Sequence, residues 1–283
     1  MNNIPILYIE NNVNFHYEII ETFIVNYKTI IQIDLKNVKI YLFINNNSSF
    51  KTYINNKYPN IIFKTPKTYD YYINITIYDK DYNKICKNSK TNFYISHEIT
   101  SRLKKISNVY FLTPLAKDCI IADILPYSDI KYKTATPIYI IQGSLRRRHL
   151  PLLIEILKNK YDYKFIIKIL GIQSFPSSLI KYKNVIIFKK SLNYIDYHKE
   201  FLDGYCILPL ITKKTHIQYY TTKFTSTINY ATGYGLKCLI DDDLQKIYNL
   251  KNVCIYNNIN DIAKQFNETL KTFYINNSKK NIM

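Results

Sequence analysis

The sequence predicts an α/β protein of two lobes. Short runs rich in Ile, Val, Tyr and Phe alternate with longer amphipathic segments, the pattern of parallel strands joined by helices. The alternation runs through both halves of the 283 residues, a length that accommodates two units of about 140 residues. Between the halves the pattern breaks over 126–137, where Pro126, Ser128, Thr134, Thr136 and Pro137 cluster and large aliphatic residues are few. Each half therefore reads as a Rossmann-like lobe, 1–131 and 132–283, and the two are expected to face across a cleft.

In the first half, apolar runs of strand length lie at 4–9, 38–44, 60–64, 71–78, 92–96 and 108–112. A helix is expected over 14–28, where Phe15, Ile19 and Phe23 fall at helical spacing. Another is expected over 49–58, with Ser48 and Ser49 placed to hold its free N–H groups. In the second half, strands are expected at 138–142, 164–170, 185–188, 205–211, 237–240 and 252–256. Helices are expected at 150–160, 193–202, 223–233, 242–249 and 260–274. No sequence repeat links the halves. Sheets of this kind bind ligands at the carboxyl ends of their strands, so the residues just after each strand are the first candidates for a site.

Lys+Arg number 39 and Asp+Glu 21, a net charge of +18. That balance favours anionic partners: nucleic acid, an acidic membrane surface or phosphorylated small molecules. The abundance of Asn, Ile, Lys and Tyr follows an AT-rich coding bias, so many of the lysines are simply solvated surface. The five cysteines include no pair at C-x-x-C spacing, which argues against a zinc site. Cys206, Cys238 and Cys254 lie in apolar runs and read as buried thiols. An odd, scattered set suits a reducing, cytoplasmic compartment. The N-terminal residues carry no basic n-region, and no stretch approaches 18 uncharged apolar residues. Neither a signal peptide nor a membrane-spanning helix is expected.

Two constellations point to phosphate. The first is Gln142-Gly143-Ser144-Leu145-Arg146-Arg147-Arg148-His149-Leu150-Pro151. A strand ends, a glycine turn follows, and Pro151 suits the first turn of a helix. Arginines before a helix start oppose the helix dipole, at roughly 0.3–1 kcal/mol per exposed charge. The conflict disappears if an anion sits there, held by free N–H groups and guanidinium forks. The plain alternative is a solvated basic patch. The second is Lys223-Phe224-Thr225-Ser226-Thr227, leading to Ala231-Thr232-Gly233-Tyr234-Gly235 before a strand. Lys223 offers a point charge, and Thr225 and Ser226 offer hydroxyls at a helix start; helix capping is the competing reading. Neither segment is a P-loop or a dinucleotide fingerprint.

Together these segments, about 80 residues apart, resemble the C-terminal lobe of GT-B glycosyltransferases, most nearly the group-1 type. The resemblance covers roughly 137–275 and is weaker in the N-terminal lobe. It implies a C-terminal lobe that holds a nucleotide-diphosphate sugar and an N-terminal lobe on the acceptor side. Diphosphate contacts would fall on Gly143, Ser144, Arg146, Arg147, Arg148, Lys223, Thr225 and Ser226. It also implies that Ser96-His97-Glu98, just after the strand at 92–96, borders the reacting sugar. There His97 would contact sugar or acceptor, and Glu98 would be a base or acceptor-hydroxyl partner. A satisfied surface His–Glu pair is the bland reading, and His16, after the first strand, is a weaker candidate. The group-1 pattern often carries two glutamates eight positions apart; here Thr222 and Tyr230 stand at those places.

Asp241-Asp242-Asp243 follows a strand and precedes a helix, where carboxylates cap free N–H groups; a metal site is the weaker reading. The expectation is a metal-independent, hexosyltransferase-like enzyme with no cofactor beyond its donor, acting on a glycan, lipid or protein acceptor. Peripheral contact with an acidic membrane is compatible with the charge. A catalytically inactive relative is one alternative. A basic nucleic-acid-binding protein is another, disfavoured because no RRM, KH or helix-turn-helix signature occurs.

Overall fold

The computed structural model describes residues 4–31, 38–45, 47–86, 92–116, 119, 124–171 and 174–280. The chain divides into two compact units, Met1–Leu125 with Thr221–Phe224, and Pro126–Tyr220 with Thr225–Met283. Each unit is built on a parallel sheet, so the α/β class and the two Rossmann-like lobes are those expected.

In the first unit the elements run β1 (Ile6–Asn11), α1 (Tyr17–Ile31), β2 (Lys39–Ile44), α2 (Ser48–Lys57), β3 (Tyr71–Ile77), α3 (Tyr82–Cys86), β4 (Asn92–Ser96) and β5 (Val109–Phe111). The sheet order is β2-β1-β3-β4-β5. Leu7 and Ile9 of β1 and Ile73 and Ile75 of β3 are completely buried. Helix α1 buries Ile19, Ile20 and Phe23, an amphipathic spacing. Asn47 caps α2 by accepting from the Phe50 N–H at 2.9 Å. The expected strand at 60–64 is a single bridge, Ile62 to Tyr41, because Pro59 and Pro66 bound a run too short to make a ladder.

The second unit continues β6 (Ile138–Gln142), α4 (Leu150–Lys158), β7 (Ile166–Gly171), β8 (Ile186–Lys190), α5 (Tyr194–Lys199), β9 (Cys206–Ile207), α6 (Gln218–Thr221), α7 (Ser226–Gly233), β10 (Lys237–Asp241), α8 (Asp242–Tyr248), β11 (Val253–Tyr256) and α9 (Ile262–Lys280). The last residue of α6, Thr221, groups with the first unit. The sheet order is β11-β10-β9-β6-β7-β8. One core gathers Tyr139 and Ile141 of β6, Leu153 and Ile156 of α4, Ile167 and Ile169 of β7, and Phe266 and Leu270 of α9. Tyr139 is fully buried, and its hydroxyl bonds Thr269 Oγ1 at 2.6 Å, so no polar atom of that ring is stranded.

The expected division at 131/132 differs from the one seen. Residues 126–131 pack with the second unit: the Tyr127 N–H donates to the Tyr234 hydroxyl at 3.2 Å, and Lys131 Nζ donates to the Gly235 carbonyl at 3.4 Å. The expected helix 223–233 starts at Ser226. The residues before it are paired elsewhere: the Ile99 N–H donates to the Thr222 carbonyl at 2.8 Å, and the Phe224 N–H to the His97 carbonyl at 3.2 Å. The expected strand 205–211 keeps only Cys206–Ile207. Pro209 cannot donate to a ladder, and Leu210 adopts a positive φ of 51°.

Among the described residues, no helix is long and apolar enough to cross a membrane. Cys206 and Cys238 are buried free thiols and Cys254 a partly buried one.

Candidate functional site

In the second sheet, chain order reverses at β6, which lies between β9 and β7. The carboxyl ends of β6 and β9 thus form a switch point, where such sheets bind ligands. Strand β6 ends at Gln142 and the chain turns at Gly143, whose φ of +84° is left-handed backbone that favours glycine. The turn continues through Ser144 into a 3₁₀ turn, Leu145–Arg147, and α4 follows with Pro151 in its first turn.

Arg146 and Arg147 are exposed. Arg148 instead turns back over the glycine turn. Its Nη2 donates to the Gln142 carbonyl at 2.5 Å and to Thr227 Oγ1 at 2.9 Å. Its Nη1 donates to the Arg147 carbonyl at 2.9 Å. Its Nε is buried without a hydrogen-bond partner. No carboxylate among the described residues forms an ion pair with it. Burial, the largest effect, lowers the Arg148 pKa, yet a guanidinium stays charged in proteins. The network continues through Thr227 Oγ1, which donates to Gln142 Oε1 at 2.8 Å, and Gln142 Nε2, which donates to Ser226 Oγ at 3.5 Å. Ser226 opens α7, and Thr225 is its N-cap residue, with a backbone N–H that donates to the Tyr248 hydroxyl at 3.3 Å.

Two histidines share this positive environment. The His149 N–H donates to the Leu210 carbonyl at 2.6 Å, tying the arginine turn to the end of β9. Burial first, and then the charge of Lys214, lowers the His149 pKa. Burial followed by the charges of Arg148 and His149 lowers that of His216. The charges of Arg148 and Lys214 are thus felt by neutral histidines beside the arginine turn. Sequence reasoning assigned contacts to Gly143, Ser144, Arg148, Thr225 and Ser226; it placed Gln142 and Thr227 in the same segments without a role and did not single out His216. Position could have found Gln142, the last residue of an apolar strand and polar where the run is otherwise Ile and Tyr.

In the first unit, His97 follows β4 and His16 follows β1. Their rings stack at 3.7 Å between centroids and 17° between planes. His16 sits at a φ of +65°, an uncommon conformation for a residue with a Cβ, and its Nδ1 lies 3.6 Å from Glu18 Oε1. His97 Nε2 is buried with no hydrogen-bond partner. Burial, then proximity to His16, holds its pKa well below the usual histidine value, so the ring is neutral. A neutral imidazole with an unused nitrogen can accept or donate one hydrogen bond.

Glu98 and Lys223 are not deployed as expected. Glu98 Oε2 lies 3.3 Å from Lys223 Nζ, in an antiparallel bridge between the two backbones. Lys223 therefore groups with the first unit and not with the arginine turn, because the Thr221–Phe224 segment is paired to His97–Ile99. Tyr230, at one of the two glutamate positions, is buried on Phe201 at 4.6 Å between centroids. The three aspartates each have a partner. Asp241 accepts from the Leu244 N–H at 3.1 Å as the cap of α8, Asp242 pairs with Lys246, and Asp243 lies 3.2 Å from Lys213. Among the described residues, no three His, Cys, Asp or Glu side chains form a metal-ligand group.

Two Rossmann-like lobes, on parallel sheets of five and six strands, make up the GT-B fold. Solved structures that share it include a glycosyltransferase from Rickettsia africae, with a TM-score of 0.53, 10% identity, and coverage of 96% of this chain and 89% of that one. AviGT4, a glycosyltransferase of avilamycin A biosynthesis, gives a TM-score of 0.55 at 7% identity, covering 94% and 88%. A UDP-GlcNAc 2-epimerase from Neisseria meningitidis, bound to UDP-GlcNAc, gives 0.53 at 9% identity, covering 95% and 92%. No protein-family model and no curated protein sequence matches the chain.

Proposed function

We propose that the protein is a glycosyltransferase that takes a sugar from a nucleotide-diphosphate sugar. The observation that carries this is Arg148, a half-buried cation with no carboxylate partner among the described residues and a buried, unused Nε donor at the switch point. A diphosphate there would supply the missing negative charge, with the start of α7 and the glycine turn offering further donors. As the sugar leaves, negative charge grows on the diphosphate, and a preorganised guanidinium stabilises it more in the transition state than in the ground state. His97 is assigned to the sugar or the acceptor, and Glu98 to the acceptor hydroxyl as base or hydrogen-bond partner. The acceptor is a glycan, lipid or protein. The epimerase of the same fold, whose ligand is UDP-GlcNAc, makes UDP-sugars the first donors to test.

Isothermal titration with UDP, GDP and the bare nucleosides tests the reading. Arg148→Ala should weaken diphosphate binding by roughly tenfold to a hundredfold, the worth of a charge-assisted contact of about 1.5–3 kcal/mol, and leave nucleoside binding unchanged. Equal UDP affinity in variant and parent would remove the proposed site. Because arginine supplies the neutralising charge, release of UDP from a UDP-sugar should persist in EDTA. Loss with chelator and recovery with manganese would favour a metal at the diphosphate.

A second reading, sugar-nucleotide binding without transfer, is favoured by Tyr230. Its packing on Phe201 leaves no carboxylate at a position where donor hydroxyls are often held. Tight UDP-sugar binding with no turnover against any acceptor would decide for it.

A further inference from the structure

Strands of an all-parallel sheet are covered on both faces and read as nearly continuous apolar runs. The first unit departs from this. Along β1, β3 and β4, apolar residues alternate with Tyr8, Glu10, Tyr72, Asn74, Asn92 and Tyr94. The parallel register places Tyr8 beside Tyr72, Glu10 beside Asn74, Tyr72 beside Asn92 and Asn74 beside Tyr94, so the polar and aromatic set shares one face. A cavity of about 450 Å³ lies over that face. Asn12 and Val13, beyond the end of β1, are among its lining residues, and β1 and β3 are the strands between which chain order reverses in this sheet.

The walls are aromatic. Tyr8, Tyr69 and Tyr72 lie 5.5–5.7 Å apart between ring centroids, and Tyr94 lies 6.1 Å from Tyr72. The floor is polar and ordered. Both Glu10 oxygens are engaged, one by the Tyr8 hydroxyl at 3.4 Å and the other by the Tyr72 hydroxyl. Burial is the main reason the pKa values of both tyrosines are raised, so their hydroxyls stay protonated. The register between β3 and β4 shifts between Asn74 and Ile77, and Asn74 Oδ1 accepts the Thr76 N–H at 3.0 Å there. Bulges of this kind gather beside binding sites, where they re-aim side chains. Thr76 itself lines the cavity and is only 4% exposed, and its Oγ1 has no hydrogen-bond partner among the described residues. A buried hydroxyl without a partner calls for a ligand or water atom to meet it.

We infer that this cavity is a carbohydrate-binding site for a neutral saccharide. A sugar ring has apolar C–H faces and a rim of hydroxyls. Tyrosine rings match the faces, and the Glu10 carboxylate, the Asn74 and Asn92 side chains and the Thr76 hydroxyl match the rim. Among the described lining residues the charges balance, with Glu10 and Asp81 against Lys80 and Lys84, which fits an uncharged ligand. A cation in the aromatic walls is less well served, because Lys80 and Lys84 also line the cavity. The inference does not depend on the donor reading, since every lining residue belongs to the first unit.

The test uses the full chain with lactose, maltose and N,N′-diacetylchitobiose, each at up to about 10 mM, and with choline as a cation probe. Saturation-transfer NMR and titration calorimetry should detect binding of at least one disaccharide. Tyr69→Ala, at a residue 44% exposed and so tolerant of change, and Glu10→Gln should each weaken it at least about tenfold. Unchanged melting curves and UDP affinity would show that the variants are folded. If the parent binds a disaccharide but not UDP, the donor reading falls and this site stands. No binding of any disaccharide, or equal binding in both variants, overturns the inference. Stronger binding of choline overturns it in favour of a cation cage.

Discussion

Arg148 and His97 are both poorly satisfied where they are buried, but they respond to pH in different ways. Arg148 cannot lose its charge. His97 escapes by remaining neutral, and this makes stability depend on pH. In the unfolded chain the imidazole takes up a proton near pH 6.5, while in the fold it does not. The folded pKa is depressed for a base, so the contribution is complete above about pH 6.5 and is lost as pH falls below it. The slope is about 1.4 kcal/mol per pH unit. His97→Phe keeps a ring against His16 and removes the titration. Urea unfolding followed by circular dichroism should show the parent losing about 1 kcal/mol more than His97→Phe between pH 6.5 and 5.5. Parallel profiles would mean that His97 titrates as an ordinary exposed histidine. The sequence marked His97 from its place after a strand. The stacking on His16 was not legible, because only the sheet order β2-β1-β3-β4-β5 brings the ends of β1 and β4 near each other.

The elements that sequence recovered best are those set by local chemistry. The run Ile138–Gln142 is apolar, fully buried and stopped by a glycine that must turn with positive φ, and its bounds are as expected. The Asp241 cap likewise follows from one carboxylate before a helix. Elements decided by distant partners were misjudged. Residues 223–225 are expected to be helical from the sequence, but the Phe224 N–H is taken by the His97 carbonyl and the neighbouring Thr222 carbonyl by the Ile99 N–H. No local propensity reports such a pairing. The arginine turn can be tested as an element. A Cβ on Gly143 would face backbone strain at φ +84° and would meet Arg148 Nη2 at 3.4 Å. Gly143→Ala should cost about 1–2 kcal/mol in stability and weaken UDP binding more than Gly171→Ala, where φ is not positive. Equal effects at the two glycines would show that the turn is not what holds Arg148.

At the scale of the molecule, the two units are not two consecutive lengths of chain. The first is completed by Thr221–Phe224, which brings two backbone hydrogen bonds and the Lys223–Glu98 pair. A fragment spanning 1–125 should therefore fold less stably than the same residues in the full chain. Amide exchange should report the loss locally, with the Ile99 N–H protected in the full chain and open in the fragment while β3 amides keep their protection. Equal protection of Ile99 in both would show that the pairing is not maintained in solution. The same feature has a consequence during synthesis. The chain leaves the ribosome at about 5–20 residues per second, so the stretch between Leu125 and Thr221 takes on the order of 5–20 s to emerge. Through that interval the nascent first unit carries an open His97–Ile99 segment and an unneutralised Glu98. Its maturation waits on the translation of the second half, and a ribosome stalled before residue 221 would display an N-terminal unit that is compact but unsealed.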